Sequence, residues 1–296
     1  MAGPALREKQ VSRIAYVNGE FVPLERATVS ILDRGFLFAD GIYEVSAVLD
    51  GRLVDNEAHL ARLERSLQEI ELALPMSLGE LTRLQEELVR RNGLDEGVVY
   101  IEVTRGAADR DFAFPKDANP TVVMFTQAKN IVRAPQAETG IRVVSTPDIR
   151  WRRRDIKSVG LLAQVLAKQQ AAAAGAQEAW MVEDGFVTEG GSSSAFIITE
   201  AGALVTRPLS HDILPGITRR AVMRLAAEQD LEVEERRFTL PEAYAASEAF
   251  ITSASSFVMP VVEIDGRRIG SGAPGPHAKR LRAIYIAFAR GETVTA

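Results

Sequence analysis

The stretch 151-WRRRDIKSVGLLAQVLAKQQAAAAG-175 places Lys157 directly behind a run of arginines, at the predicted start of an alanine-rich helix. A lysine in such a position is usually ordinary surface charge. It becomes a nucleophile when its ammonium group is partly desolvated or lies near other cations, because the amine form is then accessible near neutral pH. The neighbouring arginines supply positive charge along the chain, so both interpretations of Lys157 stay open at this point.

The composition indicates a globular protein without a strong electric field on its surface. The chain has 296 residues, 46% of them hydrophobic, with a formal net charge of -5 and a pI near 5.5. This balance excludes the global basic field that holds proteins on nucleic acid. The chain has no cysteine and no His-x-x-x-His pair, which argues against a metal site. No signal peptide or membrane-spanning apolar run is evident, so we expect a cytoplasmic protein with neither membrane nor nucleic-acid partners.

The N-terminal part of the chain reads as hairpins followed by two helices. Asn-Gly and Asp-Gly pairs between apolar runs predict the hairpins. Asn56 is a candidate N-cap of the first helix, and Ser77 with Glu80 forms a candidate capping box for the second. The predicted elements are hairpins over 15–22 and 44–54, helices over 56–74 and 77–93, and strands over 98–105 and 121–127.

Residues 128–140 lack any periodicity and carry turn-prone residues, so we predict an interdomain linker there. The resulting division is a small N-terminal domain over 1–127 and a larger, β-rich C-terminal domain over 141–296. Helices are too few for a regular βαβ alternation, which indicates two domains of mixed α and β structure. The C-terminal elements are a strand over 142–146, the helix that starts at Lys157, strand pairs over 179–188 and 196–206, a helix from Thr218, a strand over 249–253 and a helix near 276–290.

Three segments have the composition of an anion site. In 214-LPGITR-219 a glycine, an isoleucine and a threonine precede an amphipathic helix, whose free N–H groups and dipole favour a phosphate. The clusters 189-EGGSSSAF-196 and 252-TSASSF-257 follow predicted strands, where hydroxyls and glycine-freed amides suit phosphate oxygens. Taken alone, each segment is better explained by a cap or a loop, and Arg62 by a solvated helix position.

Glu189 is out of place in such a cluster, because a carboxylate repels a phosphate. Its position makes sense if the phosphate belongs to a longer ligand that carries a basic nitrogen at its other end. An amine, a phosphate cup and a carboxylate for a ring nitrogen together describe a site for pyridoxal 5′-phosphate (PLP).

Seven motifs follow one another along the chain, and the match to which they belong covers about residues 14 to 290. They are 33-DRGFLFADGIYEV-45, 59-HLARL-63, 104-TRGAADRDFAFP-115, 150-RWRRRDIKSVGLLAQVLAKQ-169, 187-VTEGGSSSAF-196, 214-LPGITR-219 and 251-ITSASS-256. The set resembles the class IV aminotransferases of fold type IV, and most closely the D-amino acid aminotransferases. The resemblance implies a two-domain α+β fold, a PLP cofactor and a homodimer with the active site near the interface.

The resemblance also implies residue roles. Lys157 is similar to the lysine that links covalently to the cofactor and moves the Cα proton, and Glu189 to the carboxylate at the pyridine nitrogen. Tyr43, Arg110 and Phe112 fall where the substrate carboxylate is held, with Arg110 reaching across the dimer interface. The other expected cofactor contacts are Arg62, Ser192, Ser193, Leu214, Gly216, Ile217, Thr218, Ser253, Ala254 and Ser255.

The implied function is ping-pong transamination between D-alanine-like donors and a 2-oxo acid such as 2-oxoglutarate or pyruvate. Three positions depart from the family pattern: Phe112 replaces a common histidine, Ala47 a frequent lysine, and Ser194 an asparagine. These changes concern substrate choice, so the alternatives of the same fold are a branched-chain L-amino acid aminotransferase, an (R)-amine transaminase and aminodeoxychorismate lyase. A cofactor-binding protein without catalysis is the alternative from another class, and the presence of Lys157 argues against it.

Overall fold

A computed structural model describes residues 12–117 and 119–292, which form two sheets. The six-stranded sheet is wholly antiparallel, in the order β2-β1-β6-β5-β3-β4. The strands of this half are β1 (Ile14–Val17), β2 (Glu20–Pro23), β3 (Gly41–Leu49), β4 (Arg52–Leu53), β5 (Gly97–Thr104) and β6 (Thr121–Ala128), and its helices are α1 (Arg34–Phe38), α2 (Asn56–Gln68) and α3 (Leu78–Asn92).

The second sheet has nine strands, eight of them in the order β12-β11-β10-β13-β14-β7-β8-β9, with β15 paired to β14. Parallel pairs join β11 to β12, β14 to β7 and β7 to β8, and the other pairs are antiparallel. The strands are β7 (Ile141–Pro147), β8 (Glu178–Glu183), β9 (Phe186–Gly190), β10 (Ser194–Ile198), β11 (Leu204–Thr206), β12 (Val233–Glu235), β13 (Glu248–Ser253), β14 (Phe257–Ile264) and β15 (Arg267–Arg268). The helices are α4 (Pro135–Thr139), α5 (Leu162–Ala173), α6 (Ile217–Ala227), α7 (Leu240–Tyr244) and α8 (Pro276–Arg290).

Turn and cap chemistry explains several boundaries. Asn18 and Gly19 both have positive φ, as a tight hairpin between β1 and β2 requires. Ser77 accepts a hydrogen bond from the Glu80 N–H at 3.1 Å, and Gly93 ends α3 in the left-handed conformation. The predicted hairpins, the Ser77 cap and the final helix are confirmed.

Three local predictions were wrong. Asp55, not Asn56, is the N-cap of α2, because the Asn56 side chain is bonded to Ser46 and Gln85 at 2.8 and 2.9 Å. The linker contains α4, which starts at Pro135, a residue suited to a first helical turn. Lys157 does not open a helix, since α5 begins only at Leu162.

The two halves share a hydrophobic core. One cluster packs Ala47 and Val98 of the first sheet with Phe196 and Phe250 of the second, and with α6 and α8. The chain leaves the first sheet at Ala128 and enters the second at Ile141. The α+β arrangement is as expected, while the domain limits at residues 127 and 141 stay a prediction, because the core crosses that division.

Candidate active site

A cavity of about 190 Å³ is lined by elements of both halves. The first half contributes β3 and α2, and the second contributes the segment 150–161, the ends of β9 and β13, and the start of α6. The predicted site residues that line it are Tyr43, Arg62, Lys157, Glu189, Ser192, Ser193, Leu214, Gly216, Ile217, Thr218, Ser253, Ala254 and Ser255. Residues that are far apart in the chain therefore meet around one space.

Lys157 lies on the irregular segment before α5, half-buried at the cavity wall. Its carbonyl oxygen accepts a hydrogen bond from the Tyr43 N–H at 3.1 Å, and the next residue, Ser158, forms an isolated antiparallel β-bridge with Ile42. The Lys157 Nζ lies 4.2 Å from the centre of the Tyr43 ring, within the range of a cation–π contact. Strand β3 therefore holds both the backbone and the side chain of this lysine.

The arginine run before Lys157 is largely balanced by carboxylates. Arg153 donates to Asp155 at 3.0 Å, and Arg154 donates to both oxygens of Glu183 at 2.8 Å. Arg65 of α2 also pairs with Asp155, at 2.5 Å. These arginines therefore fasten the segment to the rest of the chain and do not leave an unbalanced cationic field beside Lys157.

Glu189 ends β9 at the floor of the cavity, where it is 5% exposed. Its carboxylate pairs with Arg150 and accepts the Leu214 N–H, which lies 3.2 Å from each oxygen. Burial raises the pKa of Glu189 above its ordinary value, and the positive charge of Arg150 and the hydrogen bond from the Leu214 N–H offset that rise only in part. Arg150 is in turn held by Asp148 at 2.6 Å, which also accepts from Thr188.

Arg62 joins the two halves at the other end of the cavity. It donates from Nε and Nη2 to Glu44, at 2.7 and 2.9 Å, and from Nη1 to the Pro215 carbonyl at 2.8 Å. Burial raises the pKa of Glu44, but the charge of Arg62 and hydrogen bonds from His59 and Arg62 outweigh it, and the net pKa lies well below its usual range. Burial lowers the pKa of His59, which fits a neutral ring whose Nδ1–H donates to Glu44 at 2.9 Å.

The start of α6 faces the same end of the cavity. Gly216 is its N-cap, with no side-chain hydrogen bond to cap the helix. The N–H groups of the first turn and the positive end of the helix dipole are thus directed at an anion. Across from them, Ser253 shares a hydrogen bond of 2.7 Å with Ser256, which shapes the loop that contains Ala254 and Ser255.

The loop that follows β9 is held from below by a buried carboxylate. Ser193 donates to Glu178 at 2.9 Å, and Lys168 pairs with the same carboxyl group at 3.1 Å. A Cβ on Gly190 would lie 2.1 Å from Ser193 Oγ, so this tight turn requires a glycine. The Ser193 side chain therefore stabilises the loop and also lines the cavity.

Neither Arg110 nor Phe112 lines the cavity of its own chain. Phe112 is 77% exposed, and the Arg110 guanidinium lies 5.5 Å from the ring centres of Phe38 and Phe112. Arg34 holds this loop by donating to the Asp111 and Phe112 carbonyls, at 2.6 and 3.3 Å. Of the three residues expected to bind the substrate carboxylate, only Tyr43 is therefore at the cavity of its own chain.

Sequence reasoning missed Arg150, Glu44 and His59, all of which complete the site. Arg150 opened one of the quoted motifs, and Glu44 lies directly after Tyr43, but no spacing rule connects either to its partner. Within the described ranges 12–117 and 119–292, no cluster of three or more metal-binding side chains occurs and no helix is long and apolar enough to span a membrane.

Comparisons with known proteins agree that this chain is similar to aminotransferases. The family described as amino-transferase class IV matches residues 41–264. A D-alanine aminotransferase of Staphylococcus epidermidis is 38% identical over 280 residues, which is 94% of this chain and 99% of that protein. A D-alanine aminotransferase of Bacillus licheniformis is 40% identical over 267 residues, which is 90% of this chain and 93% of that protein.

Solved structures of similar fold bear a different name. A branched-chain amino acid aminotransferase of Escherichia coli superposes with a TM-score of 0.90 at 25% identity, covering 96% of both chains. A branched-chain amino acid aminotransferase of T.th., solved with pyridoxamine 5′-phosphate, gives a TM-score of 0.89 at 28% identity, covering 95% of both chains. The sequence relatives and the structural neighbours thus differ in the substrate that their names state.

Proposed function

The chain belongs to the class IV aminotransferases of fold type IV, and on that premise we propose that it transfers the amino group of D-alanine-like amino acids to a 2-oxo acid such as 2-oxoglutarate or pyruvate. The observation that carries the proposal is an identity of 38–40% to D-alanine aminotransferases over nine tenths or more of the chain. The branched-chain enzymes are more distant in sequence, at 25% and 28%.

The donor set around the cavity fits PLP as the cofactor. One end offers Arg62, the first turn of α6 and the hydroxyls of Ser253 and Ser255, which together suit a phosphate dianion. The other end offers Glu189, whose carboxylate suits a protonated ring nitrogen, and Lys157 supplies an amine. When bound, PLP supplies a carbonyl carbon that takes up the amino group and a ring that accepts an electron pair.

Glu189 keeps a proton on the ring nitrogen in this proposal. Arg150 and the Leu214 N–H stabilise its charged form in a buried position, where an unpaired carboxylate would become neutral. The same two contacts fix the direction in which the carboxylate points. The orientation of the carboxylate is therefore set before the cofactor binds.

Lys157 moves the proton of the substrate in this proposal. Its Nζ would accept the proton from the substrate Cα and return it to the carbonyl-derived carbon of the bound cofactor, in the role of a general base and then a general acid. Tyr43 packs against the amine and, through its backbone, holds the segment on which the lysine lies. This places the amine on one side of the cavity, so that the lysine meets one face of Cα.

The substrate carboxylate is assigned to Tyr43 together with Arg110 of a partner subunit in a homodimer. Arg110 lies outside the cavity of its own chain, so a second subunit must bring it to a site. Large apolar side chains are exposed around the same loop, as is typical of a surface that a partner covers. They are Ile31, Leu32, Phe36, Phe112 and Phe114.

A cytoplasmic location also stays a prediction.

The test is a panel of donors and acceptors with purified protein that contains PLP. D-alanine, L-leucine and (R)-1-phenylethylamine are each assayed with pyruvate and with 2-oxoglutarate, omitting the pair of D-alanine and pyruvate. The proposal expects the highest kcat/KM for D-alanine with 2-oxoglutarate, with product-inhibition patterns of a ping-pong reaction. Preference for L-leucine would instead favour the function named for the structural neighbours, and a coloured protein that accepts no donor would favour binding without catalysis.

A further inference from the structure

Thr252 carries a buried hydroxyl at the cavity wall. It lies next to the end of β13 and is only 2% exposed, yet it lines the cavity. Among the atoms of residues 12–117 and 119–292, Thr252 Oγ1 is one of the few buried side-chain oxygens without a hydrogen-bond partner. An unpaired buried hydroxyl destabilises a fold, so a position that keeps one calls for a hydrogen-bond partner, either a water molecule or a ligand.

Strand pairing relates Thr252 to the start of α6 through Ser194. Thr252 pairs directly with Ser194 in the antiparallel ladder of β10 and β13, so their side chains lie on the same face of the sheet. Ser194 Oγ is 2.7 Å from the position that a Cβ on Gly216, the N-cap of α6, would occupy. Both residues line the cavity. Two hydroxyl groups therefore lie beside the helix end that favours an anion.

We infer that Thr252 is a further ligand of the cofactor phosphate, to which its hydroxyl donates either directly or through one water shared with Ser194. This rests on the proposed function, since the phosphate is that of PLP. A donor is what a phosphate dianion needs, and the hydroxyl of Thr252 has no other acceptor among the residues that the structure describes.

The experiment compares Thr252→Val with Thr206→Val. Valine has the shape of threonine but lacks the hydroxyl. Thr206 is an equally buried threonine of the same sheet, and its hydroxyl already donates to the Ala195 carbonyl at 2.9 Å, away from the cavity. Apoprotein of each variant and of the wild type is titrated with PLP and with pyridoxal, which lacks the phosphate, and the Tm of each apoprotein is measured.

Thr252→Val is expected to weaken PLP binding and to stabilise the apoprotein. Thr252→Val weakens PLP binding by about tenfold or more, because a hydrogen bond to a charged group is lost, but leaves pyridoxal binding unchanged. It also raises the Tm of the apoprotein, because an unpaired polar atom is removed. Thr206→Val lowers the Tm and leaves PLP binding unchanged, and Thr252→Ser keeps wild-type affinity.

Several results would overturn the inference. Equal PLP affinity in the wild type and Thr252→Val, or an equal loss of affinity for PLP and pyridoxal, would remove Thr252 from the phosphate site. A lower apoprotein Tm with unchanged PLP affinity would assign it a structural role only. A wild type that takes up no PLP would instead refute the proposed function, and the inference with it.

Discussion

Arg150 and Glu189 form an ion pair at the floor of the cavity, although they lie 39 positions apart in the chain. Both side chains are buried, at 6% and 7% exposed. Asp148 holds the far side of the guanidinium, and the Leu214 N–H holds the carboxylate. The orientation of Glu189 is thus set by a network that exists in the protein before any ligand binds.

Replacement of Glu189 by glutamine should therefore impair catalysis more than folding. The neutral amide keeps the shape and one acceptor but cannot hold a proton on the ring nitrogen. We expect kcat with D-alanine and 2-oxoglutarate to fall by about a hundredfold or more, as for loss of a preorganised charge, with PLP still bound by absorbance. Glu234→Gln is the control, since Glu234 pairs with Arg236 and neither residue lines the cavity. Similar small losses in both variants would refute the role of Glu189.

Replacement of Lys157 by alanine should abolish turnover with little effect on the fold. The side chain makes a contact with the Tyr43 ring, while its backbone, which alanine retains, bonds to Tyr43. We expect kcat to fall by about 10²–10⁴-fold or more, the usual contribution of a general acid and base, with the circular dichroism spectrum unchanged. Lys279→Ala, on the exposed surface of α8, should retain full activity. Turnover near the wild-type rate in Lys157→Ala would exclude the mechanism.

Local chemistry explains why much of the fold could be predicted from the sequence. Asn18 with Gly19 makes its hairpin through backbone conformations that few other residues adopt. Tertiary contacts explain the errors. Lys157 stays outside α5 because its carbonyl bonds to Tyr43, a residue of the distant strand β3. Glu44, Arg150 and His59 were missed for the same reason, because their partners are set by the pairing of distant elements.

The buried Glu44 should matter more for stability than an exposed carboxylate of equal charge. Glu44→Gln leaves Arg62 buried with a neutral partner, and breaking a buried pair costs about 3–5 kcal/mol in the free energy of unfolding. Glu80→Gln breaks the exposed pair with Arg83, and we expect a loss of about 0–1 kcal/mol there. Urea denaturation of the apoproteins measures both. Equal losses would show that the Glu44 pair does not stabilise the fold.

Asp155 should make the stability of the protein depend on acidic pH. Burial raises its pKa, but hydrogen bonds from Arg153 and Arg65 lower it more, to about 2. Because the folded-state pKa lies below the unfolded value of about 3.9, the carboxylate stabilises the fold above that value. This contribution is lost as the pH falls toward the folded-state pKa of about 2.

The check is the Tm of Asp155→Asn relative to wild type across this pH range. The variant should be less stable at pH values above the unfolded pKa, and the difference should shrink as the pH falls. Glu64→Gln, an exposed carboxylate on α2, is the control and should show no such convergence. A Tm difference that stays constant with pH would contradict the low pKa of Asp155.

Arg110 is the residue proposed to bind the substrate carboxylate. If it reaches the partner subunit's cavity and binds the substrate carboxylate, Arg110→Ala should lower kcat/KM for D-alanine by about thirtyfold or more, the cost of breaking a hydrogen-bonded charge pair. Activity with (R)-1-phenylethylamine, which lacks a carboxylate, should change little. Arg83→Ala, an exposed arginine of α3, controls for the loss of charge.

Because Phe112 replaces a histidine that is common in the family, Arg110 would act without that neighbour, which makes the removal of Arg110 the sharper test. Equal losses for the amino acid and the amine would show that Arg110 does not bind the carboxylate.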